Sequence, residues 1–102
     1  MAFIIIYVTH ASEEAATKLS NQLLKEKMIA CANTFPMHSA YWWKDAITQD
    51  AEWVSILKTT TSRWNIVQKR VEDLHPYEVP CIMKIEVEAN EAYEEWIREA
   101  VD

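Results

Sequence analysis

The sequence predicts one α+β domain over residues 1–102, an antiparallel sheet carrying helices. Three observations support that reading. The first is a continuous apolar run rich in β-branched residues, Phe3-Ile4-Ile5-Ile6-Tyr7-Val8, the pattern of a central strand covered on both faces. The second is a pair of segments with apolar residues at helical spacing, Ala16/Leu19/Leu23 and Trp64/Val67/Val71/Leu74. The third is an aromatic strand from Ala30 to Lys44 that meets Pro36 and ends in Tyr41-Trp42-Trp43. With the later segments they give the order β-α-β-β-α-β plus an extra C-terminal helix, the ferredoxin-like split-βαβ arrangement. Right-handed crossovers put strands one and three at the centre and strands two and four at the edges.

Taken in order, the first strand runs from Phe3 to Val8 and gives way to Thr9-His10-Ala11-Ser12. Ser12 is the N-cap of a helix over 13–28, with Glu13 and Glu14 facing the positive end of its dipole. His10 then reads as a solvated loop residue. The aromatic strand contains a proline, which has no amide hydrogen for a ladder, so it belongs at an edge or carries a bulge. His38, beside that point, reads as a surface residue. Successive strand side chains alternate faces, so Trp42 lies opposite Tyr41 and Trp43.

Residues 45–50 read as a polar hairpin loop. The third strand, 51–60, puts Trp53, Ser55, Leu57 and Thr59 on one face and Val54, Ile56 and Lys58 on the other. Thr61 or Ser62 caps the second helix, and Pro76 stops it by pushing the preceding residue out of helical geometry. His75-Pro76-Tyr77-Glu78-Val79-Pro80 is a stiff, extended link to a fourth strand in which Cys81, Met83, Ile85 and Val87 alternate with charged residues. Asn90 caps the last helix, whose apolar face is Tyr93, Trp96, Ile97, Ala100 and Val101.

A net charge of −6 and a pI of about 5.0 oppose nucleic-acid binding, whose affinity comes largely from Lys and Arg. The third strand also lacks the basic-Gly-aromatic signature of RNA-binding modules with this element order. Glycine is absent, which removes phosphate-cradling loops, the dinucleotide fingerprint and the Gly-dependent nucleophile elbow. The apolar run at the start is too short to span a bilayer and has no basic leader or cleavage site. No membrane partner and a cytoplasmic location are expected. Cys31 and Cys81 form no CxxC, and opposite sheet edges keep them beyond the roughly 7 Å limit for bridged Cα atoms.

Chemistry-bearing residues are few. His10, His38, His75, Glu78, Cys31 and Cys81 are the metal-ligand candidates, and none has zinc-site spacing. A pocket of Tyr77, Glu78 and Lys58 walled by Tyr41 or Trp43 is the candidate ligand site. Acid–base use of Lys58, His75, Tyr77 and Glu78 there would make the protein an enzyme. The plainer reading packs Tyr77 on a helix, pairs Glu78 with a lysine and uses His75 to cap carbonyls at a helix end.

Cys31-Ala32-Asn33, Pro36, Ser39, Tyr41-Trp42-Trp43, Lys58-Thr59, the HPYEVP run from His75 to Pro80, and Tyr93 with Trp96-Ile97 follow one another over nearly the whole chain. In this the sequence resembles the CutA family of divalent-cation tolerance proteins. The resemblance implies a ferredoxin-like subunit in a homotrimer, a link to tolerance of copper and other divalent ions, and no established enzymatic activity. It also implies an architectural kinship with the nitrogen-regulatory PII proteins, hence a second reading as a signalling or interaction scaffold. Of the copper ligands associated with bacterial members, only His75 has a counterpart. Val8 stands in place of a cysteine and Leu74 in place of the first histidine of a pair. Asp45 replaces a usual glycine, and Cys81 a common acidic residue.

The expectations are therefore self-association through Tyr41, Trp42 and Trp43 on one edge and Cys81 and Met83 on the other. No cofactor is obligatory. An ion or small ligand is expected at or near subunit interfaces, with divalent copper held weakly by His75 and Glu78 as an oxygen donor.

Overall fold

The computed structural model describes residues 2–102. Its elements are β1 (Phe3–His10), α1 (Glu13–Lys25), β2 (Cys31–Trp43), β3 (Ala46–Thr59), a 3₁₀ turn (Thr61–Arg63), α2 (Trp64–Leu74), β4 (Ile82–Val87) and α3 (Glu91–Val101). The four strands form one antiparallel sheet in the order β2-β3-β1-β4, with the predicted pair at the centre.

Strand alternation divides the sheet into two faces. On one, Ile4, Ile6 and Val8 of β1 and Leu57 of β3 pack with Leu19 and Leu23 of α1 and Val67 and Val71 of α2. Each of these buried side chains contributes about 1.5–3 kcal/mol by leaving water. The other face carries Phe3, Ile5, Tyr7 and Thr9 of β1. There α3 covers only one end, where Tyr93 meets Phe3 edge-on at 6.0 Å. The rest of that face is left to the segment joining α2 to β4 and to the long hairpin.

Several local expectations change. Ser12 does cap α1, its Oγ accepting from the Ala15 amide at 3.1 Å. The helix stops at Lys25, however, because Lys27 takes a left-handed φ of 57°, a role glycine usually fills. Residues 45–50 are no loop: Lys44 and Asp45, at φ 49° and 64°, make a two-residue turn, and β3 begins at Ala46. Pro36 lies on the edge strand opposite Trp53, and the register runs one-for-one through it without a bulge. Neither Thr61 nor Ser62 caps α2, which is entered through the 3₁₀ turn. Asn90 precedes α3, but its side chain makes no cap bond; instead the Glu94 carboxylate reaches back to the Ala89 amide at 2.9 Å.

The largest correction concerns His10. It is the last residue of β1, pairs with Trp53 and is only 2% exposed. A buried imidazole needs partners, and Nε2 lies 2.9 Å from the hydroxyl of Ser55, itself fully buried.

β1 pairs with β3 only from Ile4↔Thr59 to His10↔Trp53. Beyond that, β2 and β3 pair with each other alone, from Met37↔Glu52 to Trp43↔Ala46. At about 3.4 Å per residue this arm projects roughly 20 Å past the sheet. It gives the molecule a long axis of 45 Å against 24 and 21 Å.

Candidate functional site

The site is the groove between this arm and the segment from His75 to Cys81. α2 ends at Leu74 because Pro76 forbids helical geometry at His75, whose amide still closes the last turn onto the Val71 carbonyl at 2.8 Å. The His75 ring then anchors the chain. Nε2–H donates to the Thr9 carbonyl at 2.7 Å, and Nδ1 accepts from the Tyr77 amide at 3.2 Å. Both partners have fixed roles, so the ring is a neutral Nε2–H tautomer. It stacks on His10 at 5.4 Å and meets the Tyr77 ring edge-on at 4.5 Å. Burial, and then the repulsion His10 would meet from His75 were both rings protonated, lowers the pKa of His10 to about 4.

Anchored in this way, Tyr77 reaches over the open face and donates its hydroxyl to Glu52 Oε2 at 2.9 Å. Glu52 is 8% exposed, an unusual burial for a carboxylate in a sheet. Burial, then the bond to Glu52, raises the Tyr77 pKa; burial, then the charge of Glu52, pushes up that of the Cys81 thiol. Across the arm Tyr41 donates to Asp50 at 2.6 Å, and that bond is the main reason its pKa rises to about 12. The groove measures about 1000 Å³, and its walls combine Tyr41, Trp43 and Tyr77 with Asp50, Glu52 and Cys81.

Of the residues expected in the ligand site, Tyr41, Trp43, Tyr77 and Glu78 do line one groove, and Trp42 and Cys81, expected at the subunit seam, line it as well. Glu78 pairs with a lysine, Lys44, at 3.9 Å, with both side chains exposed, which contributes little. Lys58 is not part of it. It pairs with Cys31 and Ile5 near the far end of β3 and donates to the Tyr93 hydroxyl at 3.1 Å under α3. Six residues of strand, about 20 Å, separate it from Glu52. An acid–base set of Lys58, His75, Tyr77 and Glu78 is therefore not assembled in one chain.

Met83 sits on β4 opposite Tyr7, half exposed on the other edge of the sheet. Sequence reasoning missed Asp50, Glu52 and the His10–Ser55 pair. Glu52 had a signal, since it shares a strand face with Val54 and Ile56.

The metal expectation meets a geometric obstacle. Both His75 nitrogens are already bonded, and among the described residues no three His, Cys, Asp or Glu side chains converge. The residues of one folded chain do not fit a resident metal ion. No helix among the described residues is long and apolar enough to cross a membrane.

Comparison with known proteins agrees with this geometry. The family model for the CutA1 divalent ion tolerance protein matches residues 4–100. A divalent-cation tolerance protein CutA of Thermotoga maritima is 41% identical over 99 residues, covering 96% of this chain and 98% of its own. The crystal structure of CutA1 from Pyrococcus horikoshii superposes with a TM-score of 0.94 at 43% identity, covering 97% of this chain and 98% of that one. The structure of the periplasmic divalent cation tolerance protein CutA from Archaeoglobus fulgidus also gives 0.94, at 35% identity and with both chains fully covered.

Proposed function

The chain belongs to the CutA1 divalent ion tolerance family, and from that premise we propose that it serves divalent-cation tolerance in the cytoplasm as a homotrimer without catalysis of its own. The observation that carries this reading is the unpaired arm. Trp42 is 72% exposed at its end, and Tyr41, Trp43, Met83 and Ile85 expose apolar surface along both sheet edges. So much apolar surface on the edges of a small domain marks an association site. Pairing β2 of one copy with β4 of the next joins two different surfaces, and such contacts must close into a ring or grow as a filament. The groove then lies at a seam between copies, where Tyr41, Trp43, Tyr77 and Glu78 meet the ion or small ligand.

Because His75 is committed to Thr9 and Tyr77, copper contact on this reading is weak and exchangeable. Growth of a bacterium lacking its own relative, with and without this gene on graded copper, zinc and cadmium salts, tests the role. A growth advantage confined to metal stress is expected. Identical growth curves would refute it.

A further inference from the structure

We propose that a second cavity, between α1 and the C-terminal end of α2, binds a small apolar molecule carrying a carboxylate. This cavity measures about 360 Å³ and is separate from the groove. Ala15, Leu19, Leu74 and Pro76 give it apolar walls, with His10 set deep and Lys18 at the mouth. That volume is at the lower end for small-molecule pockets and suits a fragment-sized guest.

The polar groups decide what kind of guest. Ser55 is fully buried, and among the described residues its hydroxyl has one partner, Nε2 of His10. A buried hydroxyl hydrogen without an acceptor is costly, so Ser55 donates and Nε2 accepts. The ring proton of His10 then sits on Nδ1, a donor without a partner among the described residues. Nδ1 is not sealed away, because Ser20 Oγ is the one sealed side-chain polar atom left unpaired among those residues. It therefore opens onto the cavity that His10 lines.

Lys18 supplies the second donor. Its ammonium has no carboxylate within 4.0 Å among the described residues, and no carboxylate lines the cavity. His75 also lines the cavity but offers nothing to a guest, both its nitrogens being bonded. Gln22 also lines the cavity; its Nε2 is bonded to Glu26, and its amide oxygen is the one neutral side-chain acceptor on the wall among the described residues. Two donors, one of them charged, against that single neutral acceptor select an anion with an acceptor at each oxygen. The apolar walls select a hydrocarbon body. In a chain of net charge −6, this local excess of donors is a distinct feature.

Titration of the full chain with benzoate, followed by the amide and imidazole resonances, tests the assignment. Saturable shifts are expected at His10, Ala15, Leu19 and Leu74, with the millimolar affinity usual for so small a guest. Benzyl alcohol, of similar size without the charge, should bind about tenfold more weakly. Lys18→Gln, an exposed and fold-neutral change, should weaken benzoate about threefold and leave benzyl alcohol unchanged. Ala15→Leu should fill the space and abolish both. Absence of saturable benzoate shifts, shifts centred on the groove instead, or equal affinity for the two probes would each overturn the proposal.

Discussion

The Tyr77 hydroxyl and the Glu52 carboxylate meet at 2.9 Å across the open face of the sheet, joining the α2–β4 link to the root of the hairpin arm. Glu52 is buried, so this bond replaces water that the carboxylate gave up on folding. Removing the donor strands a buried acceptor, a loss of about 1–3 kcal/mol. Tyr77→Phe should therefore lower the thermal unfolding midpoint by several degrees. Glu52→Gln, which keeps an acceptor for Tyr77, should cost less. Equal midpoints for Tyr77→Phe and wild type would show the pair to be incidental.

Acid should loosen the protein through His10. Its ordinary pKa is 6.5, and in the fold it is lowered to about 4. The unfolded chain takes the proton first as pH falls, so this stabilisation is complete above about pH 6.5 and declines toward about pH 4. The whole loss is on the order of 3 kcal/mol. Imidazole resonances followed by pH titration should show one of the three histidines titrating near 4. Three ordinary titrations would contradict the burial of His10.

Copper has to compete with the chain for His75. Reaching Nδ1 means breaking the bond from the Tyr77 amide, and reaching Nε2 means breaking the bond to Thr9. Orphaning either group costs about 1–3 kcal/mol, which weakens binding by roughly ten- to a hundredfold. Calorimetry with divalent copper should find no submicromolar site. A submicromolar site lost in His75→Ala would show that the ring turns free. One that survives that substitution would place the ion elsewhere.

The sheet was legible because its signals are local. The apolar run from Phe3 fixed a central strand, and Pro36 fixed an edge. His10 was misplaced because Thr9-His10 looks polar, yet Val54 and Trp53 on β3 extend the pairing to both residues. The segment 45–50 was misread because both faces of the arm carry polar residues, which erases the period-two signal. Alternation put Lys58 on the same strand face as Glu52, as the structure does, but face alone says nothing of the distance along a strand. The Tyr77–Glu52 and His10–Ser55 bonds join residues 25 and 45 positions apart and leave no trace at short range.

The assembly makes the sharpest prediction. β2 and β4 are the two edges of the sheet, and each presents free backbone donors and acceptors beside large apolar side chains. Edges of this kind invite pairing unless charge shields them, and at the exposed end of the arm Trp42 and Ile47 form a cross-strand apolar pair. Burying one such Trp at a seam contributes on the order of 3 kcal/mol, large against a typical domain stability of 5–15 kcal/mol. Trp42 and Trp43 lie on opposite faces, so a partner must cover both for the arm to be dry. Wild-type protein should sediment as a homotrimer at micromolar concentration, with a melting temperature that rises with concentration. Trp42→Asp should yield monomer or aggregate, since a carboxylate at a buried seam has no partner. Trp43→Asp should weaken the trimer less, because Trp43 is 39% exposed against 72% for Trp42 in the single chain and has less surface left to bury. A stable wild-type monomer at that concentration would refute the reading of both edges.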